Sequence, residues 1–163
     1  MSVTADRGSL ASYARFPAEL DRDWLGRVCH LSDADLAVIR RRADPVTQLG
    51  YAAQLVAVRA IGTFQSDPAA VPEPVVAAIA RQLGIDDPGV LAGYRDMPVR
   101  WRHTAEIRDR YGYRDFAAQP GRFAVTAWVY RQAWAGEVAA PVLFRAARRQ
   151  LLARRICCPA TVR

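Results

Sequence analysis

The chain has no lysine and no asparagine, and only three cysteines, two histidines and four glutamates in 163 residues. Each shortage excludes something. No Cys-x-x-Cys or paired Cys/His spacing is present, and His30 and His103 are far apart in sequence, so no metal site is expected. Cys29 reads as a small buried hydrophobe, and Cys157 and Cys158 are adjacent, a spacing at which cysteines rarely bond to each other. Long apolar runs are also missing. Phe123 to Val129, with a threonine inside, falls well short of the ~20 residues a membrane-spanning helix needs. Met1 to Leu10 carries Asp6 and Arg7 and lacks the apolar segment of a secretory signal. A cytoplasmic, nucleoid-associated protein with no membrane partner is the expectation.

Catalytic signatures are scarce too. There is no Gly-rich phosphate loop, no Gly-x-Ser-x-Gly elbow and no His-Glu-x-x-His. The aspartates fall mostly at helix starts, where capping explains them. His103 has Glu106 three residues on, a spacing open to a catalytic pair, but a surface pair or a phosphate contact is the simpler reading. No catalytic residue, cofactor or small-molecule substrate is expected.

What is abundant is arginine. All 23 basic residues are arginine, the net charge is +7, and 52% of residues are hydrophobic, enough to bury a core. A GC-rich coding sequence would account for arginine over lysine, but not for where the charge lies. Residues 1–99 hold 10 arginines against 12 carboxylates, a net of −2, and residues 100–163 hold 13 against 4, a net of +9. That asymmetry points to a polyanion-binding face in the second half.

The punctuation predicts an all-α fold of about seven helices in a compact bundle. Ser32 with Asp33 and Asp35 starts one helix, which Arg40, Arg41 and Arg42 close. Asp44-Pro45 starts the next, with Leu49, Ala52, Leu55, Val56 and Ile61 at three- and four-residue spacing up to Gly62. Further helices are expected from Glu73 to Leu83 before Gly84, from Asp87-Pro88 to Tyr94, and from Pro98 to Tyr111 before Gly112. Two more follow Pro120 and Pro141. No alternating strand pair competes. The expected division is a helical subdomain over residues 1–70, a basic helix-turn-helix-like subdomain over 71–156 and a divergent tail over 157–163.

Ile79 to Asp86 and Glu106 to Tyr113 share one layout, a helix ending in glycine followed by an apolar residue. A helix-turn-helix uses that layout, and so does the common Schellman stop. Arginine clamps phosphate through paired hydrogen bonds and also reads guanine. The expected DNA contacts are therefore Arg100, Arg102, His103, Arg108, Arg110, Arg114 and Arg122, with Gln82 as a base contact. Helix amides at Pro88 and Pro120 are candidates for phosphate. Arg145, Arg148, Arg149, Arg154 and Arg155 add charge on the last helix. Trp24, Trp101, Trp128 and Trp134 read as packing residues.

Tyr13 to Pro17, His30 to Leu36, Arg41 to Leu55, Arg59 to Phe64, Val71-Pro72, Val76 to Ile85, Tyr94 and His103 to Phe116 resemble, in order and spacing, the opening of transposases of the Tn-three family. The blocks span roughly residues 10–156. The resemblance implies a helical region that binds terminal inverted repeats of double-stranded DNA. It also implies that strand cutting and joining belong to a ribonuclease-H-like domain with three metal-binding carboxylates further along the family's chain. Ile156-Cys-Cys-Pro-Ala160 departs from the family's aliphatic-Leu-Pro-Gly continuation. The expectation is a transposase fragment that binds DNA without its catalytic domain, with full-length transposase as a second partner. The alternative is a non-catalytic interaction module or inert remnant, self-associating through Leu143, Leu151 and Leu152.

Overall fold

The computed structural model describes residues 15–117, 121–134 and 139–158, and among these the chain is all-α. Seven α-helices run in order: α1 Arg22–Val28, α2 Asp33–Ile39, α3 Pro45–Ile61, α4 Glu73–Leu83, α5 Val99–Tyr111, α6 Gly121–Trp134 and α7 Ala140–Ala153. Two 3-10 segments, Pro68–Ala70 and Pro88–Tyr94, flank α4.

The caps form as the sequence dictates. The Ser32 hydroxyl accepts from the Asp35 amide while the Asp35 carboxylate accepts from the Ser32 amide, a complete capping box. Asp44 caps α3 through the Thr47 amide at 2.8 Å, with Pro45 in the first turn. Gly84 and Gly112 both take left-handed backbone, and the next amide reaches back five residues, Ile85 to Ala80 and Tyr113 to Arg108 at 2.9 Å each. Both copies of the layout noted above are thus Schellman stops. After Gly84 the chain continues into the 3-10 segment Pro88–Tyr94, not the α-helix expected there. Gly89 and Gly93 within it weaken an α-helix. α1 was not expected. It has seven residues, none fully buried, and its apolar positions Trp24, Leu25 and Val28 are too few to set a period.

α3 is the axis of the fold. It is apolar almost all round, and such a helix must be surrounded. α4, α5 and the second 3-10 segment pack on it, with α1 and α2 completing the shell. The resulting core takes in Ile39, Leu49, Leu55, Val75, Ile79, Leu91 and Ile107, and so draws on residues either side of position 70. A second, smaller cluster of Val125, Leu151, Ile156 and Cys158 lies between α6 and α7. The two are joined by backbone: the Cys158 amide donates to the Gly62 carbonyl at 2.7 Å, and Arg114 bridges Ile156.

Candidate nucleic-acid interface

The basic segment lies on α5, which three polar contacts hold in place. The Asp35 carboxylate on α2 accepts from the Tyr111 hydroxyl at 2.7 Å and from Arg59 at 2.9 and 3.0 Å, tying α2, α3 and the end of α5 together. Burial would raise the Asp35 pKa, but Arg59, Tyr111 and the Ser32 amide outweigh it and hold the carboxyl down at about 2. Halfway along α5, His103 Nδ1 lies 2.9 Å from the Tyr94 hydroxyl, and its ring stacks on Tyr94 and meets Tyr51 edge-on. Burial and the nearby Arg42 charge push its pKa down to about 4. The imidazole is therefore neutral at pH 7, and its Nδ1 is hydrogen-bonded to a phenol that burial keeps protonated. Arg42 lies 3.7 Å over the Tyr51 ring and pairs with Glu106 at 2.7 Å.

Helical geometry then sorts the arginines. At about 100° per residue, Arg102 and Arg110 share one flank of α5, and Arg108 stands roughly 120° or more from either. On the first flank Arg41, Arg42, Arg102, His103 and Glu106 line a cleft of about 340 Å³. Arg110 approaches the same Glu106 at 3.8 Å. On the other flank Arg100 donates to the Ser66 carbonyl at 2.6 Å and Arg108 lies 5.2 Å over Phe64. Beyond the end of α5, Arg114, Arg154 and Arg155 line a second cleft of about 470 Å³ with Gly112, Ala124, Ala153 and Ile156. Arg155 caps α5 through the Tyr111 carbonyl at 2.8 Å. The seven expected contacts therefore do not form one face. Arg102 and Arg110 group on one side, Arg100 and Arg108 on another, and Arg114 groups with two arginines of the last helix's end. Sequence reasoning had not joined Arg41 to Arg102, because they are 61 positions apart and only the packing of α5 on α3, which Arg41 precedes in the chain, makes them neighbours.

Two expected contacts point inward. His103 is 4% exposed and its ring is spent on Tyr51 and Tyr94, so it is a core residue. Gln82 accepts from the Leu31 amide and donates to the Cys29 and Ala78 carbonyls, which makes it a strut between α4 and the α1–α2 turn. At Pro88 the Asp87 carboxylate already accepts from the Gly89 amide at 2.8 Å, closing that end to phosphate. The side chain of Arg122 and Pro120 lie outside the described residues. The packing reading of the tryptophans also changes: Trp101 is 69% and Trp134 80% exposed. The leucines of the last helix are covered, Leu151 fully and Leu143 and Leu152 in part, while Val142 on the same helix is 47% exposed. No cluster of three or more His, Cys, Asp or Glu suited to a metal occurs among the described residues, nor does any helix there have the length and apolarity to cross a membrane.

The family model for a domain of unknown function, DUF4158, matches residues 7–163. The transposase for transposon gamma-delta of Escherichia coli (strain K12) is 35% identical over 91% of this chain. The transposase for transposon Tn501 of Pseudomonas aeruginosa is 33% identical over 60% of it, and that for transposon Tn1546 of Enterococcus faecium 30% over 58%. The chain spans about 15% of the length of the first relative and 10% of the other two. Together these matches place the chain in the DUF4158 family, homologous to transposases of the Tn-three family.

Proposed function

We propose that this chain is the DNA-binding part of a transposase, recognising the terminal inverted repeats of its transposon in double-stranded form and leaving strand cutting and joining to another part of the longer enzyme. The observation that carries the reading is the pair of arginine clefts near the two ends of α5, one lined by Arg41, Arg42 and Arg102, the other by Arg114, Arg154 and Arg155. From Arg102 to Gly112 the helix rises about 15 Å. That is comparable to the ~12 Å width of a major groove, so the clefts can meet phosphates on its two edges while Arg110, on the flank of Arg102, lies between. Arg155 adds weight. It takes a left-handed backbone, φ 52°, a conformation that glycine supplies at the ends of α3, α4 and α5. A side chain kept at a strained position on a cleft wall is kept at a cost of order 1 kcal/mol, which function would explain.

The test is a binding titration with a duplex carrying the terminal repeat and a scrambled duplex, at 50 and 200 mM salt. About six phosphate contacts give a log–log salt slope near −5. Arg41→Ala with Arg102→Ala should flatten the slope by about 2, and so should Arg114→Ala with Arg154→Ala. Equal affinity for both duplexes, or binding insensitive to salt, would overturn the reading.

A further inference from the structure

α6 is apolar on two opposite faces. Val125 and Val129 face inward, Val125 buried and Val129 packed against the small core, with Trp128 half-buried beside them. Phe123, Ala127, Tyr130 and Trp134, spaced four, three and four residues apart, fall within about 60° of one another on the other side. The three aromatic rings there are exposed, Phe123 by 71%, Tyr130 by 63% and Trp134 by 80%. Tyr130 and Trp134 already stack, with centroids 5.7 Å apart and planes 25° from parallel. The stripe is about 16 Å long, and nothing among the described residues covers it.

Its surroundings indicate what does. Within the helices α6 and α7 themselves there is no aspartate or glutamate, the nearest in sequence being Asp115 before α6 and Glu137 in the connection. Arg131 follows Tyr130 directly, and Arg145 and Arg149 are exposed on α7. At the start of the stripe, Ala124 beside Phe123 lines the cleft of Arg114, Arg154 and Arg155. Flat aromatic faces one helical turn apart, on a helix pair whose charged residues are all arginine, suit a ligand that carries both π-faces and negative charge. Unpaired bases on a phosphate backbone meet both conditions, whereas paired bases in a duplex keep their faces hidden.

We infer that the α6 stripe binds single-stranded nucleic acid, with bases stacking on Phe123, Tyr130 and Trp134 and the backbone held by the Arg114–Arg154–Arg155 cleft. This goes beyond duplex recognition and uses a different helix from α5, although the second cleft serves both. Fluorescence anisotropy with a labelled 15-nucleotide dT strand tests it, with the terminal-repeat duplex titrated in parallel. Wild type should bind the strand saturably, more weakly at 200 than at 50 mM salt. Tyr130→Ala with Trp134→Ala should weaken strand binding at least tenfold, with duplex affinity within twofold, since each stacked base is lost separately. Tyr130→Phe, which keeps the ring and drops the hydroxyl, should retain strand binding. Circular dichroism should show the double variant as helical as wild type, because both side chains are exposed.

Absence of saturable strand binding by wild type overturns the inference. So does a double variant that binds the strand as well as wild type, or one that loses strand and duplex binding equally. A wild-type dimer in sedimentation that the double variant dissociates would assign the stripe to a second copy of the chain and overturn it as well. Because the duplex is measured alongside, a failure on the strand with the duplex bound leaves the repeat-binding proposal intact, and the converse failure leaves this one.

Discussion

His103 shows how a single residue's surroundings decide its role. Its histidine and the neighbouring arginines suggested a phosphate contact, yet its ring lies between two tyrosines, where a positive charge is costly. With a folded pKa of about 4 against an ordinary 6.5, the folded chain refuses a proton that the unfolded chain accepts in that window. Stability is therefore intact above pH 6.5 and lost as the pH falls toward 4, by about 3 kcal/mol for this group. Urea unfolding at pH 7, 5.5 and 4.5 should show the loss. His103→Phe should flatten it while costing about 1–3 kcal/mol at pH 7, because the buried Tyr94 hydroxyl loses its hydrogen-bond partner. Asp35 acts lower on the scale: its contribution is present above about pH 4 and lost as the pH falls through its folded value of about 2. Asp35→Ala at neutral pH strands the partly buried Arg59 and should cost about 3 kcal/mol in the same measurement.

At the scale of elements, α3 and the second 3-10 segment meet at Gly50. A Cβ there would lie 2.3 Å from the Tyr94 ring. Gly50→Ala must therefore push Tyr94 away, and with it the hydroxyl bonded to His103. The expected cost is about 1–3 kcal/mol, accompanied by a shifted His103 imidazole resonance in NMR spectra. Where an element carries strong local signals, sequence was enough to place it. Ser32, Asp44-Pro45, Gly62, Gly84 and Gly112 bound their helices where a cap or a left-handed stop requires. α1 escaped because seven half-exposed residues carry no readable period, and only the Asp21 side chain, accepting from the Trp24 amide, marked its start. α6 was placed but its faces were not. Two apolar stripes on one helix give no single periodic face, so the inward stripe could not be told from the outward one without α7 beside it.

For the whole molecule, the split of −2 and +9 located most of the basic surface but not its grouping. Arg41 and Arg42 come from the acidic half and complete a cleft with Arg102. Arg114 meets Arg154 and Arg155 because a parallel bridge between Arg114 and Ile156 draws the chain's later part against the end of α5. Pairings of this kind, across 40 to 60 positions, depend on tertiary contacts that no local pattern encodes. The two cores are also unequal: about twenty buried residues lie on and around α3, against four in the cluster of α6, α7 and the segment after it, among the described residues. Opening a unit exposes what it buries, so the α6–α7 pair should open at much lower free energy than the body around α3. In native-state hydrogen exchange, amides of α3 should then exchange only with global unfolding, and those of α6 through a separate, earlier opening. The chain would thus present a rigid helical body and a looser hairpin tied to it where the Cys158 amide meets the Gly62 carbonyl, where Arg114 bridges Ile156 and where Arg155 donates to the Tyr111 carbonyl, so that loosening the hairpin would also open the cleft of Arg114, Arg154 and Arg155.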